Sequence, residues 1–113
     1  MRNGLYAIRI EMRDGVRGRA TGVIVLRDGA LAGGDSHFYY TGRYLVTGDK
    51  WRGELVTHQH TPADGPRPLF GERDVSVGFS GHHDAGGAAV HGTALVGSRS
   101  ISFHAVLHRL ADA

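Results

Sequence analysis

The sequence predicts an all-β domain, a small antiparallel β-barrel of about eight strands, on three observations. Apolar and polar residues alternate with period two along most of the chain, and no 3.6-residue helical period is present. Asp-Gly, Gly-Asp or Gly-Ser interrupts this alternation every 10 to 15 residues, the rhythm of strands joined by tight turns. Eighteen of the 113 residues are glycine, many of them inside the alternating segments, as in "GGDSHFYYTG" from Gly33 to Gly42. Glycine within a strand marks a bend or a close approach of a large neighbour, so the sheet is strongly curved. A barrel, closed or nearly so, and a strongly coiled two-sheet sandwich both meet that demand.

Strands are predicted near 3–13, 17–27, 30–33, 36–47, 50–60, 73–81, 87–96 and 99–109. The first two form a hairpin. A two-residue turn at Asp14-Gly15 would set Met12, Ile10 and Ile8 on the face of Arg17 and Arg19. A three-residue loop, Asp14 to Val16, pairs Met12 with Gly18, Ile10 with Ala20, Ile8 with Gly22 and Tyr6 with Ile24. Only the second keeps the apolar residues on one face, because a one-residue slip flips every side chain.

Gly33-Gly34 is read as a bend or bulge at a sheet edge, with Asp35 accepting backbone N–H groups beyond it. A phosphate-cradling loop is disfavoured there, since the next element is a strand and not a helix. That strand carries Phe38, Tyr40, Gly42, Tyr44 and Val46 inward. A two-residue turn at Gly48-Asp49 then pairs Val46 with Trp51, Tyr44 with Gly53 and Gly42 with Leu55. The segment Thr61–Glu72 holds all three prolines and is the one long irregular connection, with room for a single helical turn. Gly97-Ser98 closes the last hairpin, pairing Ala94 with Ile101, Gly92 with Phe103, Val90 with Ala105 and Ala88 with Leu107. In all three hairpins large inward residues face Gly or Ala.

Bulk properties narrow the class. The length suits one domain, 1–113, and no linker, low-complexity tract or repeat divides it. There is no cysteine, which excludes disulfides and thiolate metal sites. The N-terminus alternates polar and apolar residues and lacks an apolar signal-peptide core, and no apolar run approaches a membrane span. A soluble cytoplasmic protein is the expectation. Residues 1–56 carry nine Lys/Arg against six Asp/Glu, net +3, and residues 57–113 four against five, net −1. With no basic run and no aromatics interleaved among the arginines, this pattern disfavours nucleic-acid binding.

The eight histidines are the chemically suggestive feature. The predicted registers place His37 opposite His60, with His58 two residues along the same face and opposite Tyr39. Neighbours at roughly 5–7 Å would let His37, His58 and His60 converge on one ion, with Asp35 adding a carboxylate. His91 and His104 form a second facing pair. Against a metal, both groups lie on the face that carries Arg43, Arg52, Glu54 and Ser102, the pattern of a solvated sheet surface. "HQH" has only half of a cupin metal motif. The expectation is therefore no metal and no cofactor. Catalysis has no better support. Ser98, Ser100 and Ser102 lie on a hairpin without a nucleophile elbow. The carboxylates Asp14, Asp28, Asp49, Asp64 and Asp84 fall in turns, while Glu11 faces Arg19 and Glu54 faces Arg43. A non-enzymatic protein is expected.

Taken in order, "NGLYAIRI", "VIVLRDGALAGGDSHFYYTG", "HQHTP", "LFGE" and "ISFHAVLHRL" resemble the GrlR-like negative regulators of type III secretion. The Gly-Gly-Asp followed by an aromatic strand ending Tyr-x-Gly is the most specific piece. The resemblance implies a lipocalin-like small barrel, a homodimer, and regulation by binding a protein partner such as a transcriptional activator. It places Gly33, Gly34, Asp35, Tyr40, Gly42, His60, Pro62, Phe70 and Gly71 at the family's motif positions, all read as scaffold. That placement gives His60 a structural task and weakens its claim as a metal ligand. The family engages its activator through an exposed acidic cluster after the Tyr-x-Gly strand. Here the same region is "RYLVTGDKWRGE", with Arg43, Lys50 and Arg52 and no acidic run.

Two surface features are candidate partner sites. Arg9, Arg13, Arg17, Arg19 and Arg27 share the outward face of the first hairpin, with Glu11 the only acid among them. Leu5, Val23, Val25, Val56 and Val106 are apolar residues of the outward face and suit a dimer contact. The alternatives are a carrier of a small apolar ligand and a histidine-metal protein. The carrier would need an empty interior, which Tyr6, Phe38, Tyr40, Tyr44, Trp51, Phe79 and Phe103 can fill.

Overall fold

The computed structural model describes residues 1–12, 19–62, 74–96 and 99–113. Eight strands run in chain order: β1 (Gly4–Met12), β2 (Arg19–Arg27), β3 (Ala30–Gly34), β4 (Phe38–Thr47), β5 (Lys50–Gln59), β6 (Val75–His83), β7 (Gly87–Val96) and β8 (Arg99–Ala111). Each pairs antiparallel with the next and β8 pairs with β1, so the sheet closes into a barrel and none of these strands is an edge. Of the two architectures that strong curvature permits, the chain adopts the closed one.

The three hairpin registers agree with the sequence reading. Ile10 pairs with Ala20, Ile8 with Gly22 and Tyr6 with Ile24. Tyr44 pairs with Gly53 and Gly42 with Leu55. Ala94 pairs with Ile101 and Gly92 with Phe103. The expected pair Met12–Gly18, the turn Gly97-Ser98 and all but the first two residues of the Thr61–Glu72 connection, with its room for a helical turn, lie outside the described residues. Gly48 takes φ +61°, the conformation a tight two-residue turn requires and glycine supplies without steric cost.

Closure depends on small residues set against large ones. The ring of Phe79 lies against Gly53, where an added Cβ would come within 2.6 Å of its Cζ, and the ring of Phe103 covers Gly92 in the same way. Phe79 stacks edge-on against Trp51 at 4.9 Å between centroids, and Trp51 against Tyr44 at 5.9 Å. All seven aromatics expected to fill the interior are buried, along with aliphatics such as Ile24, Leu26, Val77 and Val90. Burial of this kind is the main source of stability, at roughly 1.5–3 kcal/mol for each large apolar side chain.

Two expectations need correction. Gly33 and Gly34 are not where the chain leaves a sheet edge. They complete β3, paired with Ile24 and Val23 on one side and Tyr40 and Tyr39 on the other. The bend comes after them, at residues 35–37. Val46 is paired with Trp51 as predicted yet is 40% exposed. It stands one rung from the Gly48-Asp49 turn, above the rim of the barrel, where an inward-pointing side chain has no opposite wall to meet.

Candidate functional site

The turn between β3 and β4 is built on Asp35. Its Oδ1 accepts the backbone N–H groups of His37 (2.9 Å) and Phe38 (2.8 Å), and its Oδ2 accepts the hydroxyl of Tyr40. The Asp35 amide donates to the Phe38 carbonyl at 2.9 Å, closing the turn. His60, just past the end of β5, holds it from the side. Its Nε2–H donates to the Asp35 carbonyl (3.0 Å) while Nδ1 accepts the Thr61 hydroxyl (2.7 Å). Burial, and then the Asp35 carboxylate, push the Tyr40 hydroxyl well above the ordinary tyrosine range. Gly33, Gly34, Asp35, Tyr40 and His60 thus form one structural unit, and Gly42 lies further along β4 between Leu31 and Leu55. Pro62 is exposed just past the end of β5. Phe70 and Gly71 lie outside the described residues.

His58 lies on β5, while His37 stands just before β4 and His60 just after β5, and their rings do not converge. The His60 amide donates to the His37 carbonyl (2.8 Å), so these two residues face each other as predicted. Both nitrogens of the His60 ring are occupied, by Asp35 and Thr61. His58 lies flat on Tyr39, 5.0 Å between centroids, and directs Nδ1 to Asp74 at 3.1 Å. The Asp35 carboxylate is committed to its own turn. Among the described residues no group of three or more His, Asp or Glu side chains can hold a metal.

The barrel interior offers little space. An apolar cavity of about 40 Å³ lies among residues such as Ile8, Ile24, Trp51, Phe79 and Phe103. An apolar void of about 150 Å³ holds a benzene molecule, so this one is small beside a lipid or an aromatic ligand. Trp51 and Thr57 also line it, and Trp51 Nε1 and Thr57 Oγ1 are buried with no hydrogen-bond partner. Sequence reasoning did not single out Thr57, the one buried polar side chain in the described core, because in a period-two pattern it reads as an ordinary strand residue.

The outer surface carries the remaining candidates. Leu5 pairs with Val25 and Ala7 with Val23, while Val23 and Val25 neighbour Gly34 and Ala32 on β3. The band continues through Thr41 to Val56, which are Cα partners on β4 and β5. Val23 is 47% exposed and Val106, across from Arg9 on β8, is 46% exposed, whereas Leu5, Val25 and Val56 are half-buried. Arg9 and Arg27 are exposed on the same face but not adjacent. Arg9 pairs with Thr21, six residues along β2 from Arg27, a separation of about 20 Å. The apolar rungs lie between them. Arg19 is the Cα partner of Glu11, as expected. Arg13 and Arg17 lie outside the described residues.

Compared with protein-family models and with curated proteins, the chain matches none. Among the described residues no helix is long and apolar enough to cross a membrane.

Proposed function

We propose that this protein is a non-enzymatic cytoplasmic regulator that acts by binding another protein through the outside of its barrel. One observation carries the reading. The interior is filled by aromatic and aliphatic side chains down to a cavity of about 40 Å³, while the outer face of β1–β3 bears an apolar band with arginines beyond it. Aliphatic side chains left at a sheet surface favour association, and flanking arginines favour an acidic partner and faster encounter at low salt. The resemblance to GrlR-like negative regulators of type III secretion supports the same mode of action and adds homodimerisation. A transcriptional activator is the partner that resemblance suggests. The basic "RYLVTGDKWRGE" segment stands where the family has acidic residues, so docking here uses a different surface or a different partner.

Affinity capture from native cytoplasm tests the reading, with wild type compared against Arg9/Arg13/Arg17→Glu and Val23→Asp. Loss of a specific partner in these variants supports it. Recovery of the same partners by all three proteins would show that this face is merely solvated.

A second reading, a carrier for a small ligand, is favoured by the two partnerless polar atoms on residues lining the cavity. It requires the interior to expand on binding. A native mass spectrum with a retained small molecule would support it over the first.

A further inference from the structure

The end of the barrel formed by the Asp28-Gly29 and Gly48-Asp49 turns and residues 84–86 is also where β1 begins and β8 ends. Residues 1–3 fold over Tyr6 at this mouth. Tyr6 points inward and is 1% exposed, and its hydroxyl donates to the Arg2 carbonyl at 2.6 Å, 3.7 Å from the Met1 sulfur. Met1 itself is half-buried against the apolar core. Asn3 clasps the β2–β3 turn, its Nδ2 donating to Asp28 Oδ1 and its Oδ1 accepting the Asp28 amide, both at 3.0 Å. Arg109 on β8 donates to the Asn3 carbonyl from Nε (3.3 Å) and from a terminal nitrogen (3.2 Å). The Asn3–Asp28 bonds are exposed, so water can replace them when the segment swings out. Methionine suits such a position, being a flexible, unbranched side chain that fills irregular gaps without fixing them.

Behind this segment Tyr6, Tyr44 and Trp51 belong to one buried cluster, and Trp51 meets Tyr44 edge-on and lines the central cavity of about 40 Å³. Trp51 Nε1 is buried and has no hydrogen-bond partner among the described residues. An indole N–H only donates, and burying it without an acceptor is costly. We propose that Met1–Asn3 form a displaceable plug, past which a small neutral molecule with an apolar body and one hydrogen-bond acceptor enters to take the N–H of Trp51. This rests on the carrier reading above and supplies its entrance and ligand class. The lining is apolar, so a charged ligand would be left without a counter-charge. The cavity alone has room for little beyond water, so the ligand is about the size of the methionine side chain it displaces. A short ketone or ester meets all these conditions.

Nuclear magnetic resonance titration of the full chain with methyl propyl ketone tests the proposal in wild type, Asn3→Ala and Trp51→Phe, with circular dichroism verifying each fold. Trp51 is the sequence's single tryptophan, so one indole N–H resonance reports on the site. Wild type should saturate in the millimolar range, with that resonance moving downfield. Asn3→Ala should bind a few-fold to tenfold more tightly, since apparent affinity scales with the fraction of molecules whose site is open. Trp51→Phe should bind about 2–12-fold more weakly, the loss of one hydrogen bond. Acrylamide quenching of Trp51 fluorescence without ligand should rise in Asn3→Ala. Equal affinity and equal quenching in wild type and Asn3→Ala would overturn the plug. An indole resonance unmoved at tens of millimolar ketone would overturn the site. The native mass spectrum keeps the carrier reading separate: a retained molecule with an unmoved indole resonance would support that reading and overturn this one.

Discussion

Replacing Asp35 with alanine should destabilise the barrel more than the loss of any other carboxylate among the described residues, the rest of which are exposed. The substitution removes three accepted hydrogen bonds: two from the amides of His37 and Phe38, and one from the Tyr40 hydroxyl. Bonds to an ionised acceptor contribute about 1.5–3 kcal/mol each. The amides lie in a turn at the rim, where water can replace the carboxylate, so each falls toward or below the low end of that range. Tyr40 is only 5% exposed, and its hydroxyl, stranded without a partner, carries a desolvation cost of about 1–3 kcal/mol. Together these give about 3–4 kcal/mol, a fall in Tm of roughly 10–15 °C for a chain of this size.

Urea unfolding followed by circular dichroism measures this directly, and Asp35→Asn and Tyr40→Phe apportion it. Asparagine keeps an acceptor for the two amides and should cost about 1 kcal/mol. If the carboxylate and hydroxyl act as a pair, Asp35→Ala and Tyr40→Phe combined will destabilise less than the sum of the singles, by about 1 kcal/mol or more. An Asp35→Ala protein within about 0.5 kcal/mol of wild type would refute the reasoning, since that is the range of an uninvolved surface site. Strict additivity with Tyr40→Phe would refute the pairing alone.

Three further outcomes are expected. The hydroxyls of Tyr6 and Tyr40 titrate above the ordinary value of 10.0, burial being the first cause in both, so the unfolded chain releases these protons first as pH rises. Their contribution is intact below pH 10 and falls above it by up to about 1.4 kcal/mol per pH unit for each tyrosine, so urea midpoints between about pH 9 and 11 should decline less steeply in Tyr40→Phe. Gly92→Ala drives a methyl into the ring of Phe103 and should cost about 1–3 kcal/mol by urea unfolding, whereas an added Cβ at Gly78 meets open space and Gly78→Ala should be neutral or slightly stabilising. Light scattering should give twice the 12.1 kDa chain mass for wild type and the monomer mass for Val23→Asp, and a wild-type monomer at high micromolar concentration would remove the dimer.

The barrel was legible because a closed sheet makes each inward residue answer to two neighbours. Ile8 opposite Gly22 and Phe103 opposite Gly92 select a single register each, and any slip would expose Tyr6 or Phe79. That constraint fades at the rims. Val46 keeps its predicted partner and loses its predicted burial, since pairing is a property of two strands while burial depends on where the far wall ends. The Asp35 turn lies between these cases. An aspartate after two glycines announces bonds to the next amides, but the hydroxyl five residues on reaches the same carboxylate only because the turn folds β4 back over β3.

The histidines show where strand periodicity stops being informative. Period two placed His37 against His60 and His91 against His104, and both pairings are present. It is silent on the side-chain torsions, which decide whether facing rings share a ligand or turn away. Thr61 and the Asp35 carbonyl take the two nitrogens of His60, and Asp74, on the far side of the proline-rich connection, takes His58. The rings of His91 and His104 lie with their centroids 5.1 Å apart and their planes tilted by 38°. The outer face is less determined still. Its arginines and valines answer to no opposite wall, so the packing of the barrel does not fix their pattern. For such a face the informative perturbation is a change of charge or polarity that leaves the inward residues untouched. Arg9→Glu and Val23→Asp have that property, since their own Cα partners, Thr21 and Ala7, also point outwards.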